Sequence, residues 1–161
     1  MSVLNKAIQT QNKHLKAIRI KMFKVTEQFF VSGQIDAETV IHLKDENFHN
    51  IVCNRPDNEE PNQPTKKSIK DVCNNNHLNF YDIEVKPGDV DFDKISKTFE
   101  IISKKKKTLA YCRTGTRSIT LWAFASCNNM EVDQILGAVT EAGYDLNHLR
   151  DVFIGYKASL S

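Results

Sequence analysis

The sequence lacks the features that mark several common classes of protein. Its 161 residues carry a formal net charge of only +2, so charge gives no argument for a nucleic-acid partner. No apolar stretch approaches the roughly 20 residues of a membrane-spanning helix, and the first twenty residues contain no apolar run of the secretory kind. We therefore expect no nucleic-acid or membrane partner, and a cytoplasmic location.

The cysteines and histidines also lack metal-binding patterns. None of the four cysteines forms a C-x-x-C pair, and none stands at a zinc-type spacing from a histidine. The five histidines are scattered along the chain. We therefore expect free thiols in a reducing compartment, with no metal site and no cofactor.

The chain has the length of one domain, because 161 residues can bury about two-thirds of their unfolded surface. Proline and glycine never cluster into a linker. Residues 1–21 carry apolar side chains at roughly helical spacing, which predicts a helical N-terminal extension ahead of a domain over 22–161.

From residue 22 onward, extended segments alternate with helical ones. Helices of 10–15 residues between strands indicate parallel βαβ units, so we expect an α/β fold with a small, mostly parallel central sheet flanked by helices. The predicted strands are 23–31, 51–53, 78–85 and 108–111, and the predicted helices are 37–47 (with Asp36 as N-cap), 66–75 (with Thr65 as N-cap), 92–102, 117–127, 132–142 and 146–158. Ligands bind at the carboxyl ends of such strands, which places loops 54–64 and 112–117 at one edge.

The loop that begins at Cys112 runs from a buried strand into a helix. Its backbone N–H groups and the positive end of the helix dipole favour a thiolate and a bound anion, and Arg117 has a planar fork suited to an oxyanion. We therefore interpret Cys112 as a nucleophile. The expected oxyanion-binding residues are Arg113, Thr114, Gly115, Thr116 and Ser118, where Gly115 supplies backbone freedom and Ser118 a hydroxyl for the thiolate or a leaving sulfur.

At this loop the chain resembles the phosphatase-like domain of beta-lactamase-hydrolase-like proteins, a relative of the cysteine-dependent phosphatases. The resemblance spans roughly residues 22–150 and implies a dual-specificity-phosphatase-like fold. It rests on four separated motifs in order: Phe30-Val31-Ser32-Gly33-Gln34, Asn54-Arg55-Pro56-Asp57-Asn58-Glu59-Glu60-Pro61, Cys112 to Ser118, and Ala142-Gly143-Tyr144-Asp145-Leu146.

Two details leave the reaction open. Tyr111 stands where the family usually has a histidine, and four residues separate Cys112 from Arg117, whereas classical tyrosine phosphatases have five. A narrower loop is similar to that of rhodanese-type sulfurtransferases, in which the cysteine carries a persulfide. Three functions are therefore compatible with the motif: a cysteine-dependent phosphatase, a sulfurtransferase, or a non-catalytic oxyanion-binding module. The expected substrate is a small phosphorylated or sulfane-sulfur compound, or a phosphoprotein.

A phosphatase also needs an acid that protonates the leaving oxygen. In related phosphatases this acid is an aspartate before the helix that precedes the catalytic strand, which suggests Asp89. Asp91 and Asp93 in the same segment suit a helix N-cap and a first-turn charge. Asp57, in the other loop at this edge, is the alternative acid.

Loop 54–64, which is rich in acidic residues, is expected to pack beside the cysteine loop and support it. Arg55 is expected to pair with Glu59 or Glu60 and so to fix the loop beside Cys112. Cys53, at the end of the strand before it, is predicted to be a core residue, with a second possibility that it resolves an oxidised Cys112.

Overall fold

The computed structural model describes residues 2–6 and 21–161, and its centre is a five-stranded sheet. The strand order is β1-β2-β5-β3-β4, in which β1 is an antiparallel edge strand and every other pair is parallel. The strands are β1 (Met22–Lys24), β2 (Phe29–Ser32), β3 (Asn50–Cys53), β4 (Asn79–Asp82) and β5 (Thr108–Tyr111). The expected α/β fold with a mostly parallel sheet is confirmed.

Helices follow β2, β3, β4 and β5 along the chain. They are α1 (Ala37–Asp45), α2 (Lys66–Asn75), α3 (Phe92–Ser103), α4 (Thr116–Ser126), α5 (Val132–Glu141) and α6 (Arg150–Ser159), with a 3-10 turn at Asn147–Leu149. Asp36, Thr65 and Asp91 cap α1, α2 and α3 by accepting the amide protons of Thr39, Ser68 and Lys94. Across the described ranges, no helix is long and apolar enough to cross a membrane.

The sheet separates two hydrophobic cores. Leu109 and Tyr111 of β5 pack with α1 and α2 on one face, while Ala110 packs with α3, α4, α5 and α6 on the other. Because side chains alternate along a strand, each short central strand contributes to both cores. This explains why β3 and β5 are buried along their whole length.

The single strand predicted over 23–31 is wrong, because these residues form the hairpin of β1 and β2. A turn over residues 25–28 separates them, and the Thr26 side-chain oxygen accepts the amide protons of Gln28 and Phe29. A threonine side chain that bonds the backbone in this way competes with an extended ladder. The β-branched and aromatic residues were identified correctly, but the polar residues between them turn the chain.

Smaller differences concern element ends. The strand predicted over 78–85 is shorter, since β4 covers only Asn79–Asp82, and the last helix begins as a 3-10 turn. The predicted N-terminal helix lies mostly outside the described residues.

The placement of the two loops at one edge is confirmed. Parallel pairing sets Cys53 of β3 opposite Tyr111 of β5. The Asn54 N–H then donates to the Tyr111 carbonyl oxygen at 2.9 Å, so the first residue after β3 is joined to the last residue of β5. Loops 54–64 and 112–115 therefore leave the sheet side by side.

Candidate active site

Cys112 lies directly after β5, at the base of a four-residue loop that leads into α4. Only 1% of the residue is exposed. The Gly115 N–H donates to Cys112 Sγ at 3.1 Å. Gly115 is the N-cap of α4 and has a φ of 92°, in the left-handed region that glycine adopts without strain. The loop therefore turns a backbone amide and the amino end of a helix toward the sulfur.

Arg117, in the first turn of α4, forms a bidentate ion pair with Glu59. Its Nη1 and Nη2 donate to the two Glu59 carboxylate oxygens at 2.9 and 2.8 Å, and Nη1 also donates to the Val85 carbonyl oxygen at 2.8 Å. The hydrogen bond from Arg117 is the largest cause that lowers the pKa of Glu59 to about 2. The same bond is the largest cause that raises the pKa of Arg117. Glu59 is thus a carboxylate, and it fixes the guanidinium beside the sulfur.

Arg55 also binds Glu59, and it joins this ion pair to Glu60. Its guanidinium is buried, its Nε donates to Glu59 Oε1 at 2.9 Å and its Nη2 lies 3.1 Å from Glu60 Oε2. Glu60 also pairs with Arg113 at 3.0 Å. The prediction that Arg55 pairs with Glu59 or Glu60 is confirmed for both carboxylates. Three guanidinium groups and two carboxylates therefore form one ion-pair network at the cysteine loop.

The two candidate acids have partners outside the loop. Asp57 is exposed and accepts the Lys66 N–H at 2.9 Å, at the start of α2. Asp89 pairs with Lys94 at 2.7 Å. Asp91 is the N-cap of α3, as predicted, and Asp93 pairs with Lys97 in its first turn at 2.8 Å. In this conformation Asp57 binds the amino end of α2, and Asp89 binds the side chain of Lys94.

Ser118 has a different partner from the expected one. Its hydroxyl donates to Asn54 Oδ1 at 2.7 Å, and the Asn54 amide donates to the Ile83 carbonyl oxygen at 2.8 Å. A serine hydroxyl carries one proton, so the expected hydrogen bond to Cys112 is not made here. Ser118 instead joins α4 to the ends of β3 and β4. The Thr114 and Thr116 hydroxyl oxygens lie 3.2 Å apart at the rim of the loop.

Tyr111 does not replace the family's histidine at the thiol. It points into the core between the sheet and helices α1 and α2, together with Cys53 and Cys73, and burial raises its pKa. Cys53 donates to the Arg55 carbonyl oxygen at 3.3 Å. Because Cys53 shares the face of Tyr111, which precedes Cys112, alternation directs the Cys53 side chain away from that of Cys112. Cys53 is the core residue that the sequence predicted.

Three contacts of the loop were missed at the level of sequence. Gln34 accepts from Arg55 Nη1 at 3.1 Å, and the Tyr144 hydroxyl donates to the Thr114 carbonyl oxygen at 2.8 Å. Gly33 lies so close to the loop that an added Cβ would be 2.9 Å from the Arg113 carbonyl oxygen. All three residues belong to motifs already recognised, but a motif does not state which partner its side chain meets.

A cavity of about 640 Å³ lies between the end of β2 and α1. Ser32, Gly33 and Gln34 form one wall, and α1 forms the other with Thr39 and His42. The Cys112 N–H donates to the Ser32 carbonyl oxygen at 3.3 Å, so this wall is continuous with the cysteine loop. Within the described parts of the chain, no group of three His, Cys, Asp or Glu side chains is arranged to hold a metal ion.

Comparison with known proteins agrees with this geometry. A Beta-lactamase hydrolase-like protein of Xylella fastidiosa is 24% identical over 132 residues, which are 79% of this chain and 30% of that protein. The chain thus spans about a third of that curated relative. A candidate phosphatase from Neisseria meningitidis is 30% identical, with a TM-score of 0.70 over 83% of this chain and 96% of that one.

A more distant structural neighbour shows the same fold. A kinase-associated phosphatase, crystallised with serine in place of its catalytic-site cysteine, has a TM-score of 0.66 at 11% identity. The likeness covers 88% of this chain and 94% of that one. The family model for the phosphatase-like domain of the Beta-lactamase hydrolase-like protein matches residues 21–129. The chain therefore belongs to this phosphatase-like domain family.

Proposed function

We propose that the chain is a cysteine-dependent phosphoester hydrolase with Cys112 as its nucleophile. One observation carries the proposal: the Gly115 N–H donates to Cys112 Sγ at 3.1 Å at the amino end of α4, the helix whose first turn contains Arg117. A backbone donor, a helix amino end and a guanidinium around one sulfur favour the thiolate and bind an oxyanion. The substrate is a small phosphate ester or a phosphoprotein, in a compartment that keeps thiols reduced, such as the cytoplasm.

In this reaction Cys112 Sγ attacks phosphorus, the S–P bond forms, and the bond from phosphorus to the leaving oxygen breaks with a proton delivered to that oxygen. Arg117 and the loop amides bind the phosphoryl oxygens. Water then attacks the cysteinyl-phosphate, the S–P bond breaks, and inorganic phosphate leaves the thiolate free. Glu59 is already ionised and paired, so it holds Arg117 and does not supply the proton.

Asp57 and Asp89 remain the candidates for the acid. Replacement of the acid by asparagine removes the proton donor and flattens the alkaline side of the pH–rate profile, whereas replacement of a purely structural aspartate does not. We expect this change in only one of Asp57→Asn and Asp89→Asn. Parallel measurement of both variants on an aryl phosphate identifies the acid.

A second function is favoured because both terminal nitrogens of the Arg117 guanidinium already have a hydrogen-bond partner. Both Nη atoms bind Glu59, which leaves less of the guanidinium free for the three equatorial oxygens of a phosphoryl group. A persulfide adds one sulfur atom to Cys112, which needs less space in the loop than a phosphoryl group. In a sulfurtransferase, Cys112 attacks the outer sulfur of thiosulfate, the S–S bond breaks, sulfite leaves with the electron pair, and the enzyme keeps a persulfide. Cyanide then removes that sulfur as thiocyanate.

One pair of assays tests both functions. The protein is incubated with an aryl phosphate and, separately, with thiosulfate and cyanide, as wild type and as Cys112→Ser. Cys127→Ser is the matched control, since Cys127 lies at the end of α4 and its thiol donates to the Ala123 carbonyl oxygen, as a serine hydroxyl can. Phosphate release that Cys112→Ser alone abolishes supports the hydrolase.

Thiocyanate formation with a one-sulfur mass increase on Cys112, and no phosphate release, would instead make the chain a sulfurtransferase. If neither product forms and inorganic phosphate still binds the loop, the chain is an oxyanion-binding module, and both enzymatic proposals are wrong.

A further inference from the structure

The peptide unit between Thr114 and Gly115 is held at both ends. Its carbonyl oxygen accepts from the Tyr144 hydroxyl at 2.8 Å, and its N–H donates to Cys112 Sγ at 3.1 Å. The described peptide bonds are all trans, and the carbonyl and N–H of a planar trans peptide point in opposite directions. A donor that fixes the carbonyl on one side therefore fixes the N–H on the other.

The backbone by itself does not fix the orientation of this peptide unit. Gly115 has no Cβ and adopts a φ of 92°, so it permits more than one rotation of the preceding peptide. Thr114 is exposed, and its side chain meets the hydroxyl of Thr116. If the peptide turned over, its carbonyl oxygen would face the thiolate and would repel any anion bound there.

We infer that Tyr144 is a positioning residue for the cysteine loop, whose hydroxyl sets the 114–115 peptide so that the N–H, and not the carbonyl, faces Cys112. The contribution of Tyr144 to catalysis rests on the proposed function of Cys112. The geometric role itself applies to any anion that occupies the loop, whether a thiolate, a phosphoryl group or a persulfide.

The surroundings of Tyr144 suit a fixed donor. Its ring packs edge-on against Phe23, with centroids 5.4 Å apart. Burial raises the pKa of Tyr144 to about 12, so the hydroxyl keeps its proton at neutral pH. A Cβ at position 115 would lie 2.2 Å from the hydroxyl oxygen. Tyr144 and Gly115 therefore fit only as a pair.

The test is Tyr144→Phe, which keeps the ring against Phe23 and removes the hydroxyl alone. The full chain is alkylated with iodoacetamide at a series of pH values, and modification of Cys112 is followed by peptide mass spectrometry. We expect the midpoint of the alkylation profile to rise by about half to one pH unit, since a charge-assisted hydrogen bond loses its alignment. Protection of Cys112 by inorganic phosphate should weaken roughly fivefold.

The matched control is Tyr156→Phe, which removes a hydroxyl from α6, where the ring packs against Phe124. It should change neither measurement. Hydrogen exchange at the Gly115 amide is a third readout that requires no reaction at the thiol, and only Tyr144→Phe should accelerate it.

The inference is overturned if Tyr144→Phe leaves all three readouts at the wild-type values, or if Tyr156→Phe changes them equally. The outcome is separable from the proposed function. A wild-type protein that releases no phosphate, but whose Cys112 profile and Gly115 exchange respond to Tyr144→Phe, retains the positioning role and loses the hydrolase.

Discussion

The prediction that most directly tests the site is Glu59→Gln. Glu59 binds Arg117 through both carboxylate oxygens and Arg55 through one, and a fifth of its side chain is exposed. The substitution keeps the size of the side chain and one acceptor but removes the charge. The buried guanidinium of Arg55 then retains its ion pair with Glu60 and loses the one with Glu59.

The size of the effect follows from the pKa of Glu59, which the hydrogen bond from Arg117 lowers from 4.5 to about 2. At 1.36 kcal/mol per pKa unit this corresponds to at most about 3 kcal/mol of folding free energy, and partial exposure reduces it to roughly 2 kcal/mol. A carboxylate with a lowered pKa stabilises the folded state above its unfolded pKa. That stabilisation is lost as the pH falls from 4.5 toward 2.

The assay is urea unfolding of wild type and Glu59→Gln at pH 7 and pH 3. We expect the variant to be less stable by roughly 2 kcal/mol at pH 7 and by less than half of that at pH 3. Asp71→Asn, which breaks an exposed pair with Lys67, is the control and should change stability by less than about 1 kcal/mol at either pH. A difference between wild type and Glu59→Gln that is absent at pH 7, or equal at both pH values, would show that the charge of Glu59 does not stabilise the fold.

Three further substitutions probe the supports of the loop. Gly33→Ala should lower both phosphatase activity and Tm, because its Cβ would meet the Arg113 carbonyl oxygen at 2.9 Å; an active variant of wild-type Tm contradicts that close approach. Ser118→Ala should cost about 1–3 kcal/mol in urea unfolding, since buried Asn54 Oδ1 loses its donor at 2.7 Å; a neutral result would mean that water or another group replaces it. Asp36→Ala should cost about 1 kcal/mol in the same assay through loss of the α1 N-cap, with unchanged activity; a large loss of activity would show that α1 shapes the site.

The sequence predicted the fold well where local signals agreed. The strand over 108–111 was predicted at its observed bounds, and the caps Asp36, Thr65 and Asp91 lie where α1, α2 and α3 begin. These features depend on neighbouring residues alone: a short apolar run, or a side chain three positions before an amide. The hairpin of β1 and β2 was missed because its turn depends on one threonine within a run that otherwise favours strand.

The candidate site also has residues that the sequence could identify and contacts that it could not. Cys112, Gly115 and Arg117 could be recognised because the chemistry of an anion-binding loop requires those residue types within six positions. The partner of the Ser118 hydroxyl could not be predicted, because only the folded chain brings Asn54 within its reach. The same limit applied to the candidate acids, whose carboxylates point to Lys66 and Lys94.

By itself, the sequence determined the family and the edge of the sheet at which the cysteine loop lies. Residue type, spacing and the rule for parallel strands depend only on order along the chain. The tertiary structure alone decided that Glu59 binds Arg117, that Tyr111 faces away from the thiol, and that the Tyr144 hydroxyl donates to the Thr114 carbonyl oxygen. These contacts join residues 30 or more positions apart, or depend on the face of a strand, so their hydrogen bonds exist only after β3, β5 and the helices have packed.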